Sequence, residues 1–149
     1  EILHQSGDAM AEAVRRRYDE LGLKARVEPF IDDMATAYRE ASLLICRAGA
    51  TTVTELTVVG RPAILVPFPF AIDDHQRKNA EELERVGAGV VVSDDDATPE
   101  RLSELVKQYL ADGGQALDGM AAAAAELGRA DATEGVVTDL EELIGVRER

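Results

Sequence analysis

The amino-acid sequence predicts an α/β domain whose doubly wound parallel sheet carries helices on both faces. Three observations predict it. Five short runs that read as strands, at 2–4, 25–30, 42–46, 63–66 and 88–92, alternate with segments of helical pattern. Two of those runs, 42–46 and 63–66, are continuously apolar, as strands covered on both faces are. The helical segments between them stop at Gly22, Gly60 and Gly87, residues that leave a helix at little steric cost.

Each element follows from local chemistry. The run 2–4 ends at Gln5-Ser6-Gly7, and Asp8 is placed to cap a helix running through Tyr18 and Leu21. After the strand 25–30, Asp32 and Asp33 begin a helix over 34–41, with their charges at its positive end. The strand 42–46 leads into the small-residue loop Arg47-Ala48-Gly49-Ala50, then Thr51 and Thr52 as caps and a helix over 53–59. Arg61-Pro62 opens the strand 63–66; a loop with Pro67 and Pro69 follows, then a helix from about Asp74 to Val86. Beyond the strand 88–92, Asp94-Asp95-Asp96 reads as a solvated turn. Thr98 caps a helix with Pro99 at its first position, running to Leu110. Past Gly113-Gly114 come an alanine-rich helix over 116–127 and a last helix over 131–144, with no strand after it. Neither a repeat nor a linker divides the chain, so one domain is expected over 1–149.

Composition narrows the function. With 46% hydrophobic and 30% charged residues the chain can bury a core and reads as a soluble globular domain. Its 29 acidic against 16 basic side chains give a formal charge of −13, which argues against nucleic acid or anionic lipid held by bulk charge. A single cysteine, Cys46, excludes an internal disulfide and a multi-cysteine metal site and suggests a cytoplasmic protein. The acidic triplet lacks the spaced ligands of a calcium loop and His4 lacks a second ligand, so neither metal nor cofactor is expected. No apolar stretch reaches the ~18 residues of a membrane span. The first residues already look like a strand, so the sequence is expected to begin inside a domain.

Open parallel sheets bind ligands beyond the carboxyl ends of their strands, which directs attention to the loops after Phe30, Cys46 and Val66. At the second loop, backbone N–H groups and hydroxyls over Ala50, Thr51, Thr52, Val53 and Thr54 suit phosphate oxygens; an ordinary capped turn would look the same. Glu55, four residues after Thr51, is placed to accept hydrogen bonds from vicinal ribose hydroxyls, although the helix dipole alone favours an acid there. At the third loop, Gln76 and Asn79 share a helix face and suit sugar hydroxyls, or they lie on a solvated helix start capped by Asp74. His75 has no partner nucleophile or paired carboxylate and receives no catalytic role. At the first loop, the backbone around Ile31 could bond a flat heterocycle with Phe30 or Met34 against it, or Phe30 is a core aromatic. Cys46 reads as a buried small hydrophobe.

Five motifs occur in order: His4-Gln5-Ser6-Gly7, Pro29-Phe30-Ile31-Asp32-Asp33-Met34, Cys46-Arg47-Ala48-Gly49-Ala50 with Thr52-Val53-Thr54-Glu55, Asp74-His75-Gln76 with Lys78-Asn79-Ala80, and Asp131-Ala132-Thr133-Glu134. Together they resemble the C-terminal half of the MurG family of UDP-N-acetylglucosamine transferases, which convert lipid I to lipid II in peptidoglycan synthesis. The resemblance covers nearly the whole chain. It implies a two-domain GT-B hexosyltransferase, peripheral on the cytoplasmic face of the bacterial inner membrane, whose C-terminal Rossmann-like domain binds UDP-GlcNAc without a metal. Ile31 would then meet the uracil through its backbone with Phe30 beside the ring. Ala50 to Thr52 would lie along the diphosphate and sugar, Glu55 would hold the ribose, and Gln76 would bind GlcNAc hydroxyls, with His75 and Asn79 in support.

The family's domain opens with a strand and a Gly-Gly-Ser loop that this sequence begins after. The lipid I acceptor site and the membrane-facing patch belong to an N-terminal domain that this sequence lacks, toward which the helix over 131–144 would cross. No catalytic residue is therefore assigned within these 149 residues, and the chain alone is expected to be inactive. Two alternatives stay open: another UDP-sugar GT-B enzyme or epimerase, and a stand-alone donor-binding subunit of a split glycosyltransferase.

Overall fold

The structure is a computed structural model that describes residues 1–144. The chain divides into two compact units, Glu1–Ala41 and one beginning at Ser42. At this boundary the three residues 41–43 join the helix Met34–Glu40 to the strand Leu44–Cys46, with no glycine or proline among them.

In the first unit β1 (Ile2–Gln5) and β2 (Ala25–Glu28) pair in parallel, with Ile2 opposite Ala25 and Gln5 opposite Glu28. The ladder stops two residues short of the expected strand end because Pro29 has no N–H to contribute. Its carbonyl instead accepts from Gly7 N–H at 3.0 Å. Helix α1 (Ala11–Glu20) starts later than expected: residues 8–10 form a turn, Met10 is the N-cap, and Asp8 caps nothing. Tyr18 of α1 meets His4 of β1 edge to face, with the phenol oxygen 3.1 Å from Nδ1. Helix α2 (Met34–Glu40) is capped as predicted, Asp33 accepting from Thr36 N–H at 2.9 Å. A hydrogen bond from the Thr36 side chain, with that backbone bond second to it, holds the Asp33 carboxyl below its ordinary pKa.

The second unit holds β3 (Leu44–Cys46), α3 (Ala50–Val59), β4 (Ala63–Leu65), α4 (His75–Arg85), β5 (Gly89–Val91), α5 (Pro99–Leu110), α6 (Gln115–Leu127) and α7 (Ala132–Leu143). Its sheet is parallel in the order β3-β4-β5. Within each ladder the predicted strands pair in parallel, and they form one ladder of two and one of three. The central strand β4 is wholly buried and its side chains alternate. Ile64 and Val66 join Val92 and Leu105 of α5 in one core, whereas Leu65 faces the side of α4. Gly89 lies between those layers. A Cβ there would stand 2.9 Å from the Ala63 carbonyl oxygen and 3.3 Å from Leu65 Cδ1, with Leu83 of α4 just beyond. Helices thus cover both faces of this sheet.

Strand β3 departs from the prediction. It is an edge of its three-stranded sheet, and Ile45 is 49% exposed, so continuous apolarity did not here mark a strand covered on both faces. Past α6, Gly128 passes so close to α3 that a Cβ would fall 2.6 Å from the Thr57 carbonyl oxygen.

Candidate functional site

The carboxyl end of β3 carries the first group of predicted residues. Helix α3 begins at Ala50 rather than at 53, because Gly49, in extended conformation at φ −62° and ψ 149°, is the N-cap and brings no capping side chain. Thr51 and Thr52 are therefore first-turn residues, not caps. An α-helix leaves its first N–H groups without intrahelical partners. Val53 N–H is already engaged with the Gly49 carbonyl at 2.9 Å, so the donors at the terminus are those of Ala50, Thr51 and Thr52. Thr54 is exposed, and its carbonyl accepts from the Thr57 hydroxyl at 2.8 Å. Glu55 follows one turn after Thr51, half-buried on the same side of the helix.

The loop after β4 is held by side chains of α4. Gln76 Oε1 accepts from Phe68 N–H at 3.0 Å, and Asn79 Nδ2 donates to the Ala48 carbonyl at 3.1 Å, joining α4 to the loop after β3. Because a backbone N–H can only donate, the Gln76 oxygen faces Phe68 and its NH₂ group is turned away as a donor pair. His75 Nδ1 lies 2.7 Å from the Ile72 carbonyl, which fixes the proton on Nδ1. Asp73 and Asp74 adopt left-handed backbones at φ 52° and 55°. That conformation is incompatible with the extended geometry of a capping residue, so Asp74 caps nothing and pairs instead with Arg77 at 3.4 Å. Phe68 and Phe70 stack edge to face with centroids 5.6 Å apart.

In the first unit, a shallow concavity of about 260 Å³ is lined by Arg26, Glu28, Phe30, Ile31, Asp33 and Thr36 among others. Phe30 is 69% exposed, which rules out the core-aromatic alternative. Ile31 N–H donates to Gln5 Oε1 at 2.9 Å, leaving the Ile31 carbonyl as the backbone group for a ligand. Gln5 was absent from the sequence-based candidates. Its signal was its place at the end of β1, in register with Glu28 just before the Phe30 loop. The second unit thus joins the predicted residues at 50–55 to those at 75–79 through Ala48, while Phe30 and Ile31 belong to the first.

Cys46 ends β3, and burial pushes its thiol up to about 11 from 9.0. The unfolded chain loses this proton first, so folded stability is expected to fall as pH rises from 9.0 toward 11. A urea series at pH 8, 9 and 10 with a Cys46→Ala control checks this; identical slopes for both proteins contradict it. Among the described residues no cluster of three His, Cys, Asp or Glu side chains could hold a metal ion, and no helix is long and apolar enough to cross a membrane.

Parallel sheets flanked by helices, with polar loops at the strands' carboxyl ends, define a Rossmann-like α/β fold. The model of the glycosyltransferase family 28 C-terminal domain matches residues 1–136, and the chain belongs to that family. It is 50% identical over 137 residues to the UDP-N-acetylglucosamine--N-acetylmuramyl-(pentapeptide) pyrophosphoryl-undecaprenol N-acetylglucosamine transferase of Marinobacter nauticus, covering 92% of this chain and 38% of that protein. The protein of the same name from Sorangium cellulosum is 49% identical over 146 residues, covering 96% and 36%. A crystal structure of Acinetobacter baumannii MurG superposes with a TM-score of 0.87 at 41% identity, over 95% of this chain and 42% of that one. The spinosyn forosaminyltransferase SpnP, at 19% identity and a TM-score of 0.63, shares the fold. The chain spans about 38% of the length of the first of these curated relatives.

Proposed function

We propose that these residues are the donor-binding part of an inverting UDP-GlcNAc transferase that makes lipid II from lipid I in peptidoglycan synthesis. The observation that carries this reading is the start of α3, where Gly49 leaves three N–H groups uncapped and Glu55 follows one turn later, in a chain of this family. Ala50, Thr51 and Thr52 bind the diphosphate, with the Thr54 hydroxyl beside them and Val53 fixing the turn. Glu55 accepts from the ribose hydroxyls. Gln76, its NH₂ turned outward, donates to GlcNAc hydroxyls, while Asn79 and His75 hold the loops. In the first unit, exposed Phe30 and the Ile31 carbonyl suit a flat heterocycle with an N–H to donate, as uracil has.

In the complete enzyme, the C4 hydroxyl of the muramyl sugar attacks the anomeric carbon of GlcNAc. A new C–O bond forms, the bond to the diphosphate breaks with its electron pair leaving on UDP, and the hydroxyl proton passes to a base outside these residues. The growing charge on UDP is met by the helix-terminal N–H groups and threonine hydroxyls, donors fixed in place before reaction. Acceptor binding and attachment to the cytoplasmic face of the inner membrane belong to the rest of the enzyme, so the −13 charge of this part does not oppose them.

Titrating UDP-GlcNAc into the ¹⁵N-labelled chain tests the reading. Shifts confined to 30–31, 50–55 and 75–79 are expected, and scattered shifts would defeat it. A preference for UDP-glucose or UDP-galactose would point instead to a different sugar-nucleotide enzyme of this fold.

A further inference from the structure

We infer that Arg47 and Asp94 are positioning residues: together they clamp the carboxyl ends of β3, β4 and β5 so that Gln76 presents its NH₂ group to the sugar of the donor. This rests on the reading of Gln76 given above. Because the three strands are parallel, the loops after Cys46, Leu65 and Val91 leave the sheet at the same end. Arg47 is the first residue of the first loop. Its Nη1 lies 3.2 Å from the carbonyl oxygens of both Val66 and Pro67 in the second loop, and 2.6 Å from Asp94 Oδ1 in the third. The same guanidinium sits over the Phe68 ring, 5.6 Å from its centroid. Phe68 in turn gives its N–H to Gln76 Oε1 at 3.0 Å.

The connection therefore runs from Asp94 through Arg47 to three consecutive residues and on to the Gln76 amide. Arginine suits this task because one planar, permanently charged group can meet two carbonyls, a carboxylate and an aromatic face at once. The ion pair is exposed, at 51% and 40% for the two side chains, and exposed pairs add little to stability. Its consequence is geometric: it fixes the main chain at Phe68, and that N–H decides which way the Gln76 amide points. A rival role exists for Arg47 as a direct partner of the donor's phosphates. Asp94 already neutralises it in this structure, and the two roles predict different responses.

The test compares the 149-residue chain with Arg47→Lys and Asp94→Asn, measuring affinities for UDP and UDP-GlcNAc by calorimetry and, without ligand, hydrogen exchange at the Phe68 amide. Both variants are expected to speed Phe68 exchange and to weaken UDP-GlcNAc binding about fivefold, the weight of roughly one net hydrogen bond, with UDP affected by less than about twofold. Equal losses for both ligands in Arg47→Lys would make Arg47 a phosphate ligand and overturn the clamp. So would tighter binding of both ligands in Asp94→Asn, since Asp94 would then be masking a cation. Unchanged Phe68 exchange in both variants would show that no clamp operates. If the wild-type chain does not distinguish UDP-GlcNAc from UDP, the reading of Gln76 fails and the inferred role fails with it, while the exchange data still report whether the clamp exists.

Discussion

Replacing Glu55 with alanine is expected to weaken UDP binding by about 30-fold to 100-fold, roughly 2–3 kcal/mol, the weight of charge-assisted hydrogen bonds to two ribose hydroxyls. Glu55 stands one turn into α3 behind the Ala50 to Thr52 donors, so in the proposed site a diphosphate at the helix terminus would bring the adjoining ribose toward its carboxylate. The helix dipole favours an acid near this end whatever it binds, and a loss on substitution could in principle come from the helix alone. A ligand change separates the two. Wild-type protein should prefer UDP over 2′-deoxy-UDP, and Glu55→Ala should lose most of that preference, as two changes to one interaction do. Calorimetry on the four pairs of protein and ligand measures it. Equal discrimination by both proteins would remove Glu55 from the ribose site.

What the sequence made legible and what it hid follow from how local each feature is. The parallel strands, the Asp33 cap and the Thr98 cap with Pro99 depend on a few neighbouring residues, and all are present in the structure. Helix starts governed by backbone geometry were misplaced. Asp8 and Asp74 have the right side chains for caps, but a turn follows the first and a left-handed backbone holds the second. Threonines drew the start of α3 to 53, whereas the actual N-cap is Gly49, which caps by its conformation and offers no side chain to read. The candidate site divides the same way. Glu55 and Gln76 were visible as polar residues near strand ends, but their supports were not. Gln5 is 26 residues from Ile31 and Asp94 is 47 from Arg47, and no local pattern encodes a contact across such distances.

Leu65→Ala is expected to destabilise the second unit by about 3 kcal/mol, within the 2–5 kcal/mol common for buried leucines. Leu65 is fully buried at the end of the central strand, and its Cδ1 borders the space at Gly89 that Leu83 of α4 borders from the other side. No Cβ at Gly89 can move into the vacated volume, so the cavity should persist rather than collapse. A fall in melting temperature of roughly 6–12 °C follows for a chain of this size. Ile45→Ala supplies the contrast. Ile45 lies opposite Ile64 in the ladder yet is half exposed on the edge strand, and its loss should cost less than about 1 kcal/mol. Thermal denaturation of the two variants under one condition decides the matter. Comparable losses would mean that β3 is covered as fully as β4. A large loss at Leu65 alone would identify the β4–β5–α4 layer as the support that carries Gln76 and Asn79 to the carboxyl end of the sheet.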